Sequence, residues 1–291
     1  MNVIPLYRFR YADENIFPFE IARFEDKLIA TAAQQPRRDM FFNIFWIAAG
    51  IGEYYIDFTH YNIRPNTLFC IGPGQIHYCK TEKPIKGYAL FFEEELFHIT
   101  GLNAFFEKVD LFKTFGNESA IYFSDQSAQY INQLVSGLFI EYSHEQFGRG
   151  DAIVARLQLL LIQAQRNKTN AHSLPPRNAS DQLTRHFLKL VEQHISTVHN
   201  LHDYAQWLDV TVGHLTETVK AETGFPAGVL LRKRLLLEAK RWLAYSDLTA
   251  AQVASKLQFD DPSYFGRFFK RETGQTPNTF RAEFGKTSSP S

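Results

Sequence analysis

The sequence predicts an α+β chain: an N-terminal run of strands forming a sandwich or barrel, a helical hairpin, then an all-α part with two helix-turn-helix copies. Three observations carry this. From about Glu20 to Phe97, short aromatic and β-branched runs alternate with Gly, Pro and Asn. From Ser124 to about Arg166 the apolar spacing becomes helical. After residue 180 one pattern occurs twice, at Asn200–Gly224 and at Leu248–Gly274.

In the first region the runs are MFFNIFWIA, EYYIDF, TLFCI and GYALFF, broken by AAGIG, IRPN and GPGQ. Short aromatic and β-branched runs between turn residues indicate strands. Both alternating sets of the first run are apolar, Phe42/Ile44/Trp46 and Phe41/Phe45/Ile47, so that strand is expected to be covered on both faces.

The hairpin reads as two helices. Ser124 or Asp125 caps the first, Asp151 caps the second, and Phe147–Gly150 forms the break. The stripe Ile153, Leu157, Leu160, Leu161 is broad enough to serve a core and a partner chain together, so a homodimer contact is expected here, the alternative being an ordinary helix that only covers the barrel. Residues 167–180 (NKTNAHSLPPRNAS) lack apolar periodicity and carry Pro175–Pro176, which marks a linker. The expected division is therefore 1–123, 124–166, 167–180 and 181–286.

Composition bounds the function. The chain has 291 residues, 45% hydrophobic and 21% charged, and no apolar run long enough for a bilayer. Its first residues, MNVIPLYRFRYADE, lack a secretory pattern, and Cys70 and Cys79 lack zinc or disulfide spacing, so a cytoplasmic location is expected. Net charge is zero; from Asp181 onward 14 Lys and Arg stand against 12 Asp and Glu. Binding to a polyanion must therefore rest on local placement of charge.

Each of the two copies begins with a short helix holding an alanine, Ala205 or Ala254. A break follows, then a helix with apolar residues four apart, Leu215/Val219 or Phe265/Phe269, ending in Glu-Thr-Gly. A small residue lets the second helix cross the first closely, the sequence form of a helix-turn-helix whose second helix enters the DNA major groove. The joining helix, about Pro226 to Tyr245, spans about 28 Å at 1.5 Å per residue, near the ~34–36 Å between successive groove faces. It carries Arg232–Lys233–Arg234 and Lys240–Arg241, expected as a solvated surface with some charges available to phosphates. In the second copy Phe265, Phe268 and Phe269 are expected to face inward. Arg267, Lys270 and Arg271 are left for a polyanion, and Ser263 and Tyr264 for base edges or phosphates.

On Glu238-Ala239-Lys240, Leu243, Val253-Ala254, Phe259, Ser263-Tyr264-Phe265, Arg267, Phe269-Lys270, Gly274, Thr276-Pro277 and Phe280-Arg281, the C-terminal part resembles the double helix-turn-helix domain of AraC/XylS-family bacterial transcription regulators. The resemblance implies DNA contacts from Gly213, Thr216 and Glu217 in the first unit. In the second it implies Pro262, Ser263, Tyr264, Gly266 and Arg267. It also implies double-stranded DNA and RNA polymerase as partners. Two positions depart from the family pattern: Gln258 stands where a turn glycine is usual, and Glu217 where arginine is frequent. A glutamate there repels phosphate but accepts from cytosine N4.

The N-terminal strands, over Gly50, Tyr54–Asp57, Arg64-Pro65 and Ile71–His77, resemble the cupin-like β-barrel sensory domain of the same family. Metal-dependent cupins use a His-x-His pair, a Glu and a later His; here Tyr55 and Asp57 replace the pair and only His77 remains. No metal, cofactor or catalytic residue is therefore expected. The candidate lining of a pocket for a small organic effector is Trp46, Tyr54, Phe58, His77, Tyr88 and Phe92, the alternatives being simple core filling for the aromatics and a structural or loop-capping role for His77. The competing reading, a cupin-type metal-dependent enzyme fused to a helical module, lacks its ligand spacing.

Overall fold

A computed structural model describes residues 6–7, 17–26, 33–81, 84–112, 118–168 and 179–284. The described residues divide into two compact units, one comprising those from 6 to 168 and the other those from 179 to 284. Most of the predicted linker lies outside the described residues.

Among the described residues the N-terminal unit has ten strands: β1 Leu6–Tyr7, β2 Phe19–Arg23, β3 Arg37–Asp39, β4 Phe42–Ala49, β5 Gly52–Ile56, β6 Thr59–Ile63, β7 Thr67–Ile71, β8 Ile76–Thr81, β9 Lys86–Phe92 and β10 Ala120–Tyr122. They form two sheets, ordered β1-β3-β8-β5-β6 and β10-β7-β4-β9-β2. The expected barrel is corrected here. Closure requires the edge strands to pair, and among the described residues β6 and β2 share no ladder with the opposite sheet.

Alternation along β4 supplies two cores. Ile44 and Trp46 join Leu68, Leu90 and Phe92 on the face covered by helices. Phe45 and Ile47 join Tyr54, Ile56, Phe69 and Phe91 on the face turned to the other sheet. Two short helices, α1 Glu95–Ile99 and α2 Asn103–Phe106, follow β9.

The hairpin is α3 Asp125–Ser143 and α4 Arg149–Lys168. Ser124 caps α3, its hydroxyl accepting from the Ser127 N–H. Ile153, Leu157, Leu160 and Leu161 are all fully buried in the core of their own unit. None of the four is left for a partner chain; the exposed apolar side chains of the hairpin are Tyr130, Ile140 and Leu159, with Phe147 at its tip.

The second unit is helical: α5 Ala179–His194, α6 Leu201–Trp207, α7 Val212–Thr223, α8 Ala227–Tyr245, α9 Ala250–Lys256, α10 Pro262–Thr273 and α11 Pro277–Phe284. Both repeats turn in the same way. Asp209 and Gln258 adopt left-handed φ of 54° and 55°. The next N–H returns to the alanine carbonyl, Val210 to Ala205 at 3.0 Å and Phe259 to Ala254 at 2.9 Å. The left-handed residue itself donates to Gln206 or Ser255, completing a Schellman turn in each unit. Ala205 and Ala254 are buried, as a close helix crossing requires.

The connector α8 corrects one expectation. Arg234 and Arg241 do not face solvent: both are buried against Glu238, each through Nη1 at 3.1 Å from Oε2. Arg234 Nε also donates to Glu192 of α5 at 2.8 Å. Arg281 of α11 donates to the carbonyls of Leu243 and Leu248, fastening the last helix to the end of the connector. Among the described residues no helix is long and apolar enough to cross a membrane.

A side chain with a Cβ is strained at the left-handed turn position, by about 1 kcal/mol or more. Gln258→Gly is therefore expected to stabilise the second helix-turn-helix by about 1 kcal/mol, read as slower amide exchange across α9 and α10. Faster exchange would show that the glutamine side chain contributes more than its backbone costs.

Candidate nucleic-acid interface

The two second helices of the repeats, α7 and α10, are each 12 residues long and are started and ended by equivalent groups. Thr211 caps α7 by accepting from the His214 N–H at 3.1 Å. Asp261 caps α10 by accepting from the N–H groups of Ser263 (2.8 Å) and Tyr264 (3.1 Å). At the far ends Gly224 and Gly274, at φ 77° and 80°, donate to the carbonyls of Lys220 and Lys270. Inside those limits every position has a counterpart: Gly213 with Ser263, His214 with Tyr264, Thr216 with Gly266, Glu217 with Arg267, Lys220 with Lys270.

The inward faces are Leu215, Thr218 and Val219 in α7, and Phe265, Phe268 and Phe269 in α10. On the outward faces Gly213 and Glu217 are exposed and Thr216 half-buried; Pro262, Ser263, Tyr264, Arg267 and Lys270 are exposed and Gly266 half-buried. The structure thus brings the nine residues together as two groups, one per helix. A Cβ added at Gly266 would meet no atom within 4 Å. No packing within the chain requires a glycine there, although one in a helix interior costs about 1 kcal/mol relative to alanine.

Charge divides unequally between the two faces. Arg267, Lys270 and Arg271 are exposed on α10 with Glu272, which pairs with Arg271 at 3.0 Å, against Lys220 and the exposed Glu217 and Glu222 on α7. Sequence reasoning passed over Asp261 and His214, which belong to these faces. Asp261 is flanked by Asp260 and Pro262, a pattern typical of a helix start, and that signal was readable.

Residues 204–283 match a family model described as a helix-turn-helix domain, and residues 21–161 match one described as an AraC-like ligand binding domain. A transcriptional activator of Providencia stuartii, AarP, is 31% identical over 91 residues, covering 31% of this chain and 67% of that protein. The chain belongs to the AraC family. The transcriptional activator RhaR of Yersinia pseudotuberculosis is 24% identical over 134 residues, 46% of this chain; the match spans 45% of that relative's length. Among solved structures, ToxT from Vibrio cholerae O395 is 12% identical over 92% of this chain and 98% of that one, with a TM-score of 0.42.

In the AraC-like ligand-binding segment the six candidate pocket residues do not line one space. Trp46 and Tyr88 face the helical hairpin, where the Trp46 indole N–H donates to Asn132 Oδ1 at 3.2 Å, and Phe92 on the same sheet face packs on Phe97 and Phe106 of the two short helices. Tyr54 and His77 lie between the sheets, and Phe58 sits in the turn between β5 and β6. The period of two separates them: β4 and β9 direct Trp46, Tyr88 and Phe92 to the face opposite the second sheet.

Between the sheets runs a buried polar chain that no sequence pattern announced. Tyr54 Oη lies 3.0 Å from His77 Nδ1, and His77 Nε2 lies 3.0 Å from Asp39 Oδ2. Arg37 Nε donates to Asp39 Oδ1 at 2.9 Å. Tyr54, His77 and Asp39 are at most 1% exposed. Burial keeps the Tyr54 phenol protonated well above its ordinary range. Burial alone would raise the Asp39 carboxyl, but the hydrogen bond and charge of His77, with Arg37, outweigh it and hold the group below its ordinary 3.8. Asp57 is fixed in the β5–β6 turn, accepting from the Gln75 side chain and the Ile76 N–H. Among the described residues no group of three or more His, Cys, Asp or Glu is arranged to hold a metal ion.

Asp39→Asn leaves Arg37 and His77 without their buried anion, a change expected to destabilise the N-terminal unit by about 3 kcal/mol at neutral pH. A depressed carboxyl stabilises above its unfolded value, and that contribution is lost as pH falls through the folded value. The gap between Asp39→Asn and the unsubstituted protein in urea unfolding should therefore narrow below pH 3.8. A gap that stays constant with pH would contradict the ion pairing.

Proposed function

We propose that this chain is a sequence-specific, DNA-binding transcription regulator acting in the cytoplasm, without catalytic activity. Segment 181–286 binds double-stranded DNA. Segment 1–123 serves as a sensory domain for a small organic effector. Segment 124–166 makes a homodimer, 167–180 links the parts, and RNA polymerase is a further partner. The observation that carries the DNA reading is the pair of equivalent capped helices, one of which exposes Arg267, Lys270 and Arg271.

Arginine reads guanine or phosphate, and each good pair contributes about 1–3 kcal/mol. The second unit therefore dominates affinity. In a titration at fixed salt against one operator selected from genomic fragments, Arg267→Ala should weaken binding by about tenfold or more, about 1.4 kcal/mol. Glu217→Ala should leave affinity unchanged or raise it. Gly266→Ala should stabilise the helix yet weaken DNA binding, because the added methyl enters space that only a close-approaching duplex would fill. A larger loss from Glu217→Ala than from Arg267→Ala would reverse the ranking of the units.

The dimer reading now rests on Ile140 and Leu159, exposed on the two helices of the hairpin, because the buried stripe is committed to the unit's own core. Sedimentation of the full chain should show a dimer that Leu159→Glu shifts toward monomer. A monomer before substitution at micromolar concentration would remove the hairpin from the interface.

A further inference from the structure

The guanidinium of Arg267 is not free on the outward face of α10. Its Nη2 lies 3.6 Å from Asp261 Oδ2, with the side chains 69% and 52% exposed, and its Cζ lies 6.0 Å from the Tyr264 ring centroid. The same Asp261 carboxylate accepts the first N–H groups of the helix, from Ser263 and Tyr264. Chiefly the Ser263 N–H, with the Tyr264 N–H and the Arg267 charge, holds that carboxyl below its ordinary value, so it is fully ionised at neutral pH.

A helix N-terminus ordinarily offers its N–H groups to a phosphate. Here the Asp261 carboxylate already occupies them, and its charge repels a second anion. The other repeat supplies a natural comparison. Where the second unit has Asp261 with Arg267, the first has Thr211 with Glu217: the cap is acidic where the reader is basic and neutral where the reader is acidic. An acid at residue 211 would face a like charge.

We propose that Asp261 is a positioning residue for DNA reading, presenting Arg267 to base edges and suppressing indiscriminate phosphate binding at the start of α10. The inference rests on the DNA-binding reading of the same helix. A flexible arginine held in one orientation before binding loses less freedom on contact. The pair is exposed, so the effect is modest: interactions of this kind correspond to about two- to fivefold in an equilibrium constant.

The test uses the full chain, a selected operator and a scrambled duplex of equal length, at one salt concentration. Asp261→Asn keeps the cap and removes the charge. It should lower the operator-over-scrambled ratio about two- to fivefold, chiefly by tightening the scrambled complex, while helix content by circular dichroism stays the same. With Arg267→Ala already present, the same substitution should lower the ratio clearly less, since only the repulsion of phosphates by the cap then remains to be lost. An unchanged ratio in the single variant, or an equal fall in both backgrounds, would overturn the positioning role and leave the DNA reading standing. No operator preference in the unsubstituted chain would overturn both.

Discussion

One buried carboxylate organises the helical unit. Glu238, 2% exposed, lies on the connector between Arg234 and Arg241, and Arg234 reaches on to Glu192 of the first helix. Removing one member of a buried ionic group strands the others at a cost of about 3–5 kcal/mol, so the connector and α5 are held in one relation. The same network has a consequence for function. It withdraws two arginines from the surface of the connector, leaving Arg232 and Lys233 exposed there and Arg267, Lys270 and Arg271 exposed on α10. A unit with so small a net charge depends on where such residues are placed.

The two helix-turn-helix copies share their internal geometry and differ in their outward chemistry. Left-handed turns at Asp209 and Gln258, buried alanines before them, and glycine stops after each second helix are common to both. These features determine where a helix lies. The outward residues determine what it meets, and there Glu217 stands opposite Arg267 in the repeat. Shared backbone geometry with divergent surface charge is what a bipartite reader with unequal halves would show.

Much of this was legible in the sequence because it is local. Turn residues, caps, the Glu-Thr-Gly endings and the alternation along β4 all act within a few residues. Pairings across long separations were not legible. Asp39 meets His77 from a three-residue strand, Arg-Arg-Asp, whose composition resembles a loop, and only the fold turns it inward. Arg234 and Arg241 read as surface because a charge run usually is one, and Glu238 reverses that from a helical turn away. The stripe at Ile153–Leu161 is legible as apolar, but its width does not say how much surface its own sheet requires. The helix-turn-helix residues were found as two clusters, whereas the six pocket candidates were scattered. Face assignment in a two-sheet unit depends on register, and register is set by partners far along the chain.

The proposed reading of DNA by two equivalent helices of unequal strength is tested most directly by selecting preferred duplexes from a random pool with the full protein. A bipartite motif is expected, its two parts about one helical turn apart, with most sequence information in one part and little in the other. A motif with information divided evenly, or no motif at all, would contradict it.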